Sequence, residues 1–159
     1  MKKPLTISRR RTARFAAVQA LYQIDLGGLP AEAVIAEFLS HRLGDILETL
    51  EDPARSPQVD ETWFGIVVKG TVANQDELDP MIEACLMEGW SLARCGFLLR
   101  ACLRAGAFEL EQRSDVPIKV VIDEYVEVGN LFFGGNEPSL INAVLDRLAP
   151  KLRQSETAA

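Results

Sequence analysis

Apolar residues recur along this chain at three- and four-residue spacing, and no convincing stretch of strict alternation interrupts them. Ser8 is placed to cap a first helix running to about Asp25, which Gly27-Gly28-Leu29-Pro30 stops. A second helix is expected from Ala31 to about Leu50, in two pieces around Gly44. A loop carrying Pro53 and Pro57 follows, from Glu51 to Asp60. A third helix is expected over Glu61 to Val72, and a fourth over Asp76 to Met87 with Pro80 near its start.

Leu92 to Gln112 is the most apolar long stretch, with apolar side chains on several faces. A helix of that kind normally sits at the centre of a bundle. Asp115 and Pro117 open the next helix, whose stripe is Ile118, Val121, Ile122, Tyr125, Val128 and Phe132. Gly134-Gly135-Asn136 breaks it, and Pro138 takes a first-turn position. Ile141, Val144, Leu145, Leu148 and Leu152 form the last stripe. The pattern predicts an all-α bundle of about seven helices, with residues 1–153 as one domain and a frayed tail over 154–159.

Composition agrees with that reading. Of 159 residues, 48% are apolar and 25% charged, which excludes a disordered chain. No apolar run approaches the roughly 20 residues needed to span a membrane. Neither metal nor disulfide is required for a core of this size. Cys85, Cys95 and Cys102 form no CxxC pair, which suits a reducing compartment. Cys95 and Cys102 are seven residues apart, so both are expected on one buried helical face as small apolar residues. The single histidine, His41, lies in a polar stretch and offers no evident base for them.

Charge changes the picture. The net charge is −6, yet the first fourteen residues hold Lys2, Lys3, Arg9, Arg10, Arg11 and Arg14 and no acid. A basic arm over residues 1–14 on an acidic body points to a local polyanion site. On a helical wheel Arg10, Arg11 and Arg14 fall within an arc of roughly 100°, with Arg9 able to reach round. Val18 and Leu21 continue that side of the helix, with Tyr22 beside it. Arginine pairs with phosphate in a fork geometry and stacks on bases, which lysine does not. The bland reading is a solvated charge run. RNA, DNA and an anionic membrane all remain open as polyanions, although Ala13, Ala16 and Ala17 make a poor inserting face. A secretory signal is disfavoured because Arg14, Gln19, Gln23 and Asp25 interrupt any apolar core, whereas a transit peptide stays open.

No HExxH, GxxxxGK[ST] or GxGxxG motif is present, so the residues imply no cofactor, metal or enzymatic activity. Asp123, Glu124 and Glu127 are expected on a solvated helix face rather than in a catalytic carboxylate pair.

Three blocks carry a resemblance. Arg10-Arg11-Thr12-Ala13-Arg14 with Ala17-Val18-Gln19-Ala20-Leu21-Tyr22 resembles the opening of the NusB family of bacterial transcription antitermination factors. Leu103 to Leu110 is similar to the family's central helix. Ser114-Asp115-Val116-Pro117, Lys119 to Glu124, Phe132 and Asn142 to Asp146 complete the likeness, while residues 27–60 match poorly. The resemblance implies two small three-helix subdomains around a central helix. It also implies a cytoplasmic protein that pairs with NusE, a small-subunit ribosomal protein, and binds boxA-type single-stranded RNA. That pair would load onto the RNA polymerase antitermination complex, notably in ribosomal RNA operons. RNA contacts are implied at Arg9, Arg10, Arg11, Arg14, Tyr22, Asn136, Ser139 and Leu140, and partner contacts at Tyr22, Leu99 and Arg100.

Two departures stand out. Ser139 and Leu140 replace a frequent Lys-Phe pair, removing a basic contact and an aromatic platform. Leu99 stands where an acidic residue is common, which implies a more apolar partner contact. The competing expectation is a homodimeric structural or storage form with its RNA surface occluded. RNA methyltransferases that carry such a domain need a methyl-donor domain after it, and this chain ends at Ala159.

Overall fold

A computed structural model describes residues 5–44, 46 and 59–153. Among them are six α-helices: α1 (Leu5–Gly27), α2 (Ala31–Glu37), α3 (Glu61–Ala84), α4 (Phe97–Gln112), α5 (Ile118–Phe132) and α6 (Glu137–Leu152). Alpha2 continues into a π turn (Phe38–Arg42), and a 3-10 turn (Leu92–Cys95) precedes α4. No strand occurs among the described residues. Helices α1 to α3 form one three-helix group and α4 to α6 the other, with α4 packed against α1, α3, α5 and α6. Every residue from Ala101 to Leu110 is buried, as the all-round apolar pattern predicts.

Among the described residues the count is six rather than about seven, because α3 is continuous where two helices were expected. Nothing in Val72–Asn74–Asp76 forces a stop, and Asn74 donates from Nδ2 to the Gly70 carbonyl one turn back at 2.7 Å. Pro80 lies inside the last turns of this helix rather than opening a new one. At its start, Asp60 caps α3 by accepting from the Trp63 amide at 2.9 Å. The first helix begins at Leu5, so Ser8 lies within it and does not mark its start. Likewise α4 begins at Phe97, because Gly96 adopts φ +80° between the 3-10 turn and the helix. Cys95 therefore lies in the turn and is half-buried, while Cys102 is enclosed in α4 and Cys85 is buried after α3. The expected loop over 51–58 and the tail over 154–159 lie outside the described residues.

Two glycines set the helix spacing around the centre. A Cβ on Gly70 of α3 would stand 2.1 Å from the Phe108 ring of α4, and one on Gly106 would stand 2.8 Å from a Leu145 methyl of α6. Gly70→Ala is expected to lower stability by about 1–3 kcal/mol, because Phe108 is buried and has no room to yield. Urea denaturation checks this: an unchanged midpoint would show that α3 and α4 can separate freely.

Candidate nucleic-acid and partner interface

The arginine arc of α1 forms as expected, but most of it faces inward. Arg14 is 2% exposed, and its guanidinium makes a fork with Glu109 of α4, Nε to Oε2 at 2.8 Å and Nη2 to Oε1 at 2.9 Å. Tyr125 of α5 donates its hydroxyl to the same Glu109 Oε2 at 2.5 Å. Arg11 makes a second fork with Glu124 of α5, at 3.1 and 2.6 Å, and Arg14 Nη1 lies 3.5 Å from Glu124 Oε1. Glu124 is therefore buried between two arginines, whereas Asp123 and Glu127 take the solvated face. The expectation that all three acids are solvated is corrected at Glu124, since a buried carboxylate needs paired cations.

Burial acts to lower the Arg14 pKa, and the hydrogen bonds and charge of Glu109 outweigh it, so Arg14 holds its proton more tightly than usual. Burial, reinforced by the Glu109 charge, pushes the Tyr125 hydroxyl well above its ordinary value and keeps it a donor. Arg11 is also raised, chiefly by its hydrogen bond to Glu124.

The outer part of the basic helix is different. Arg9 is exposed, and its carbonyl accepts from the Asp60 amide at 3.2 Å, tying the start of α1 to the start of α3. Arg10 is half-buried, with Nε 3.8 Å from Asp60 Oδ2 and Cζ 3.9 Å from the centroid of the Trp63 ring. Trp63, Arg113 and their acidic neighbours were not foreseen. A tryptophan in the first turn of a helix gives no sequence signal that guanidinia will stack on it.

Tyr22 lies at the other end of α1, away from this cluster in sequence by two or more turns. Its ring meets Phe97 edge-on at 6.4 Å, and Arg100 lies over Phe97 at 4.7 Å while its Nη2 pairs with Asp25 at 2.7 Å. Both aromatic rings are partly open to solvent. Leu99, the third residue expected at a partner contact, is 5% exposed and belongs to the apolar core. Asn136 precedes α6 and, like Ser139 in its first turn, is exposed. Leu140 is partly buried against the core. Phe132, just before this turn, stacks on Phe15 of α1 at 4.5 Å. The structure thus divides the expected residues among three places: the start of α1, the Tyr22–Phe97 surface and the turn before α6.

The family profile described as the NusB family matches residues 11–150. The chain belongs to the NusB family. Over 148 residues it is 47% identical to the transcription antitermination protein NusB of Rhizobium leguminosarum bv. trifolii (strain WSM2304), covering 93% of this chain and 90% of that one. Similarity to the protein of the same name from Allorhizobium ampelinum is 48% over the same shares. The T. maritima NusB structure superposes with a TM-score of 0.70 at 26% identity, covering all of both chains. The NusB family assignment agrees with the two three-helix groups, α1 to α3 and α4 to α6, joined through α4. No helix among the described residues is long and apolar enough to cross a membrane.

Two outcomes follow from the buried network. Arg14→Ala leaves Glu109 with no cation in the core and is expected to cost about 3–5 kcal/mol of stability, while Glu109→Gln leaves Arg14 its 3.5 Å contact with Glu124 and is expected to cost less. Tyr125→Phe removes one hydrogen bond to a carboxylate, at about 1.5–3 kcal/mol. Chemical denaturation orders the three variants, and a wild-type midpoint for Arg14→Ala would contradict the structural role given to it. Thiol labelling supplies an independent check on packing. Burial raises the pKa of the Cys102 thiol strongly, and of Cys95 to a lesser extent against the opposing charge of Arg100. Cys95 should react first in the native protein and Cys102 only on unfolding.

Proposed function

We propose that this chain is a non-enzymatic transcription antitermination factor that binds boxA-type single-stranded RNA together with NusE. The observation that carries the proposal is its 47% identity, over nearly its whole length, to proteins named for transcription antitermination. Loading of the pair onto the RNA polymerase antitermination complex, in the cytoplasm, belongs to the same proposal. The geometry supports particular residues in particular tasks. Arg9 and Arg10 are the solvent-reachable cations of the basic helix, Arg11 is largely held by Glu124, and Arg14 acts by fixing the helix that carries the others. Asn136 and Ser139 offer polar groups from the turn before α6, and Leu140 props that turn from below. Tyr22, Phe97 and Arg100 form the surface best suited to a protein partner, since aromatic residues and arginine dominate such contacts.

A titration of boxA and scrambled RNA, with and without NusE at matched salt, tests this. NusE should tighten RNA binding, and RNA must tighten NusE binding by the same factor. Arg9→Ala and Arg10→Ala should weaken both RNAs alike and flatten the salt dependence by about 0.7 log units per lost single-strand contact. Asn136→Ala should narrow the gap between boxA and scrambled RNA, because base edges carry the sequence. Equal RNA affinity with and without NusE would overturn the pairing. A dimer that dissociates only when RNA is added would favour the homodimeric reading.

A further inference from the structure

Trp63 is 1% exposed, yet its ring carries two guanidinia that reach solvent. Arg10 of α1 stands over it at 3.9 Å, and Arg113, just after α4, at 4.6 Å. These distances hold the two charges within about one Debye length of each other at physiological salt. Each cation has a carboxylate beside it. Asp60 lies 3.8 Å from Arg10, and Asp115 accepts a fork from Arg113 at 3.0 and 2.9 Å. The four side chains are 28–55% exposed, in contrast to the 2% and 0% of Arg14 and Glu109.

That contrast separates two kinds of arginine. The Arg14 pair is locked into the core. The Arg10 and Arg113 pairs lie at the surface, where water screens an ion pair and an incoming anion can replace the acid. The Arg10 guanidinium makes no hydrogen bond to a described residue, and its outer N–H groups are available to a phosphate. The Asp115 carboxyl is held below its usual range chiefly by the Arg113 hydrogen bonds, and Arg10 adds to the effect. Asp115 therefore feels both cations, and the four groups act as one electrostatic unit. With two charges of each sign, that unit is neutral in the free protein and does not register as a basic patch.

We propose that Arg10 and Arg113, seated on Trp63, form one phosphate-binding site for single-stranded RNA, where Asp115 holds Arg113 and Asp60 neutralises Arg10 until RNA takes their place as counter-charge. The proposal rests on the RNA-binding reading above and adds Arg113, from the second helix group, to its contacts. The two acids restrain non-specific attachment, because a polyanion must displace the Asp115 fork from Arg113 and outcompete the nearby charge of Asp60 at Arg10. Trp63 contributes no base stacking, being enclosed. It fixes the planes and spacing of the two guanidinia, which favours paired hydrogen bonds to phosphate oxygens.

The test uses the full chain with a short boxA-type oligoribonucleotide and its scrambled counterpart, in the presence of NusE. Arg113→Gln should weaken both RNAs about five- to tenfold and flatten the salt slope by about 0.7 log units. Asp115→Asn should tighten both about two- to fivefold, a gain that a merely damaged protein would not show. A second readout comes from Trp63 itself. The chain has two tryptophans, and Trp90 is half-exposed, so Trp90→Phe leaves Trp63 as the sole indole reporter. RNA should shift its emission as the guanidinia re-pair, and Arg113→Gln should reduce that shift. RNA binding that is insensitive to Arg113→Gln and Asp115→Asn, with silent Trp63 emission, overturns this inference and leaves the RNA-binding reading standing. Failure of the wild-type chain to bind either RNA overturns both.

Discussion

Glu109 is the constraint around which the two helix groups are arranged. Its carboxylate is fully buried near the end of the central helix, where an unpaired charge would be untenable. It is satisfied by the Arg14 fork from α1 and the Tyr125 hydroxyl from α5, so three helices must meet at one point with their rotamers fixed. Glu124 repeats the device one layer out, joining Arg11 and Arg14. Buried ion pairs of this kind add little net stability over apolar packing, because desolvation offsets the attraction. Their effect here is geometric: the two carboxylates and two arginines are shared among α1, α4 and α5, so α1 is held at one rotation and one height against the other two.

Arginine serves the same purpose elsewhere in the fold. Arg104 of α4 forks Asp79 of α3 at 2.8 and 2.7 Å and reaches Asp25 of α1 at 3.1 Å. Arg153, after α6, donates to the carbonyls of Leu110, Glu109 and Arg113 at 2.7, 2.9 and 2.7 Å. Those carbonyls are at the C-terminal end of α4, where a helix presents unsatisfied acceptors and a partial negative charge. Arg153 closes that end, and it also ties the last helix to the segment that carries Arg113 and Asp115.

Several helix boundaries were legible in the sequence, though Gly96, with φ +80°, set the start of α4 where no stop had been expected. The Gly27-to-Pro30 stop, the helix start at Glu61 and the Asn136–Pro138 entry all appear in the structure within a residue or two. Pro80 misled because proline marks a helix start only when the preceding residues also favour a break, and those before it do not. The basic arc was legible as a pattern and not as an orientation. Val18 and Leu21, both buried, continue the Arg14 side of α1, so the wheel already indicated an inward face. What it lacked was the location of the acids. Glu109 and Glu124 lie 95 and 113 residues away from their partners, at distances no local pattern reaches. Leu99, apolar where the family often has an acid, is packed into the core as its side chain requires.

The inward arc changes what net charge means for this chain. A count over the first fourteen residues treats every arginine as available, whereas Arg14 and Arg11 are consumed by carboxylates from α4 and α5. Arg10 is already ordered on Trp63, so the side-chain entropy of about 2 kcal/mol that a free arginine would lose on contact has in part been lost on folding. A surface with few free cations can therefore still bind a polyanion well, provided those cations are held in place beforehand. The interior pairs supply that hold: Arg14 and Arg11 fix the rotation of α1, the rotation sets Arg10 on Trp63, and the Asp60 cap with its bond to the Arg9 carbonyl sets Trp63 under Arg10. The positions of the outer cations are thus determined from the buried Glu109 outward.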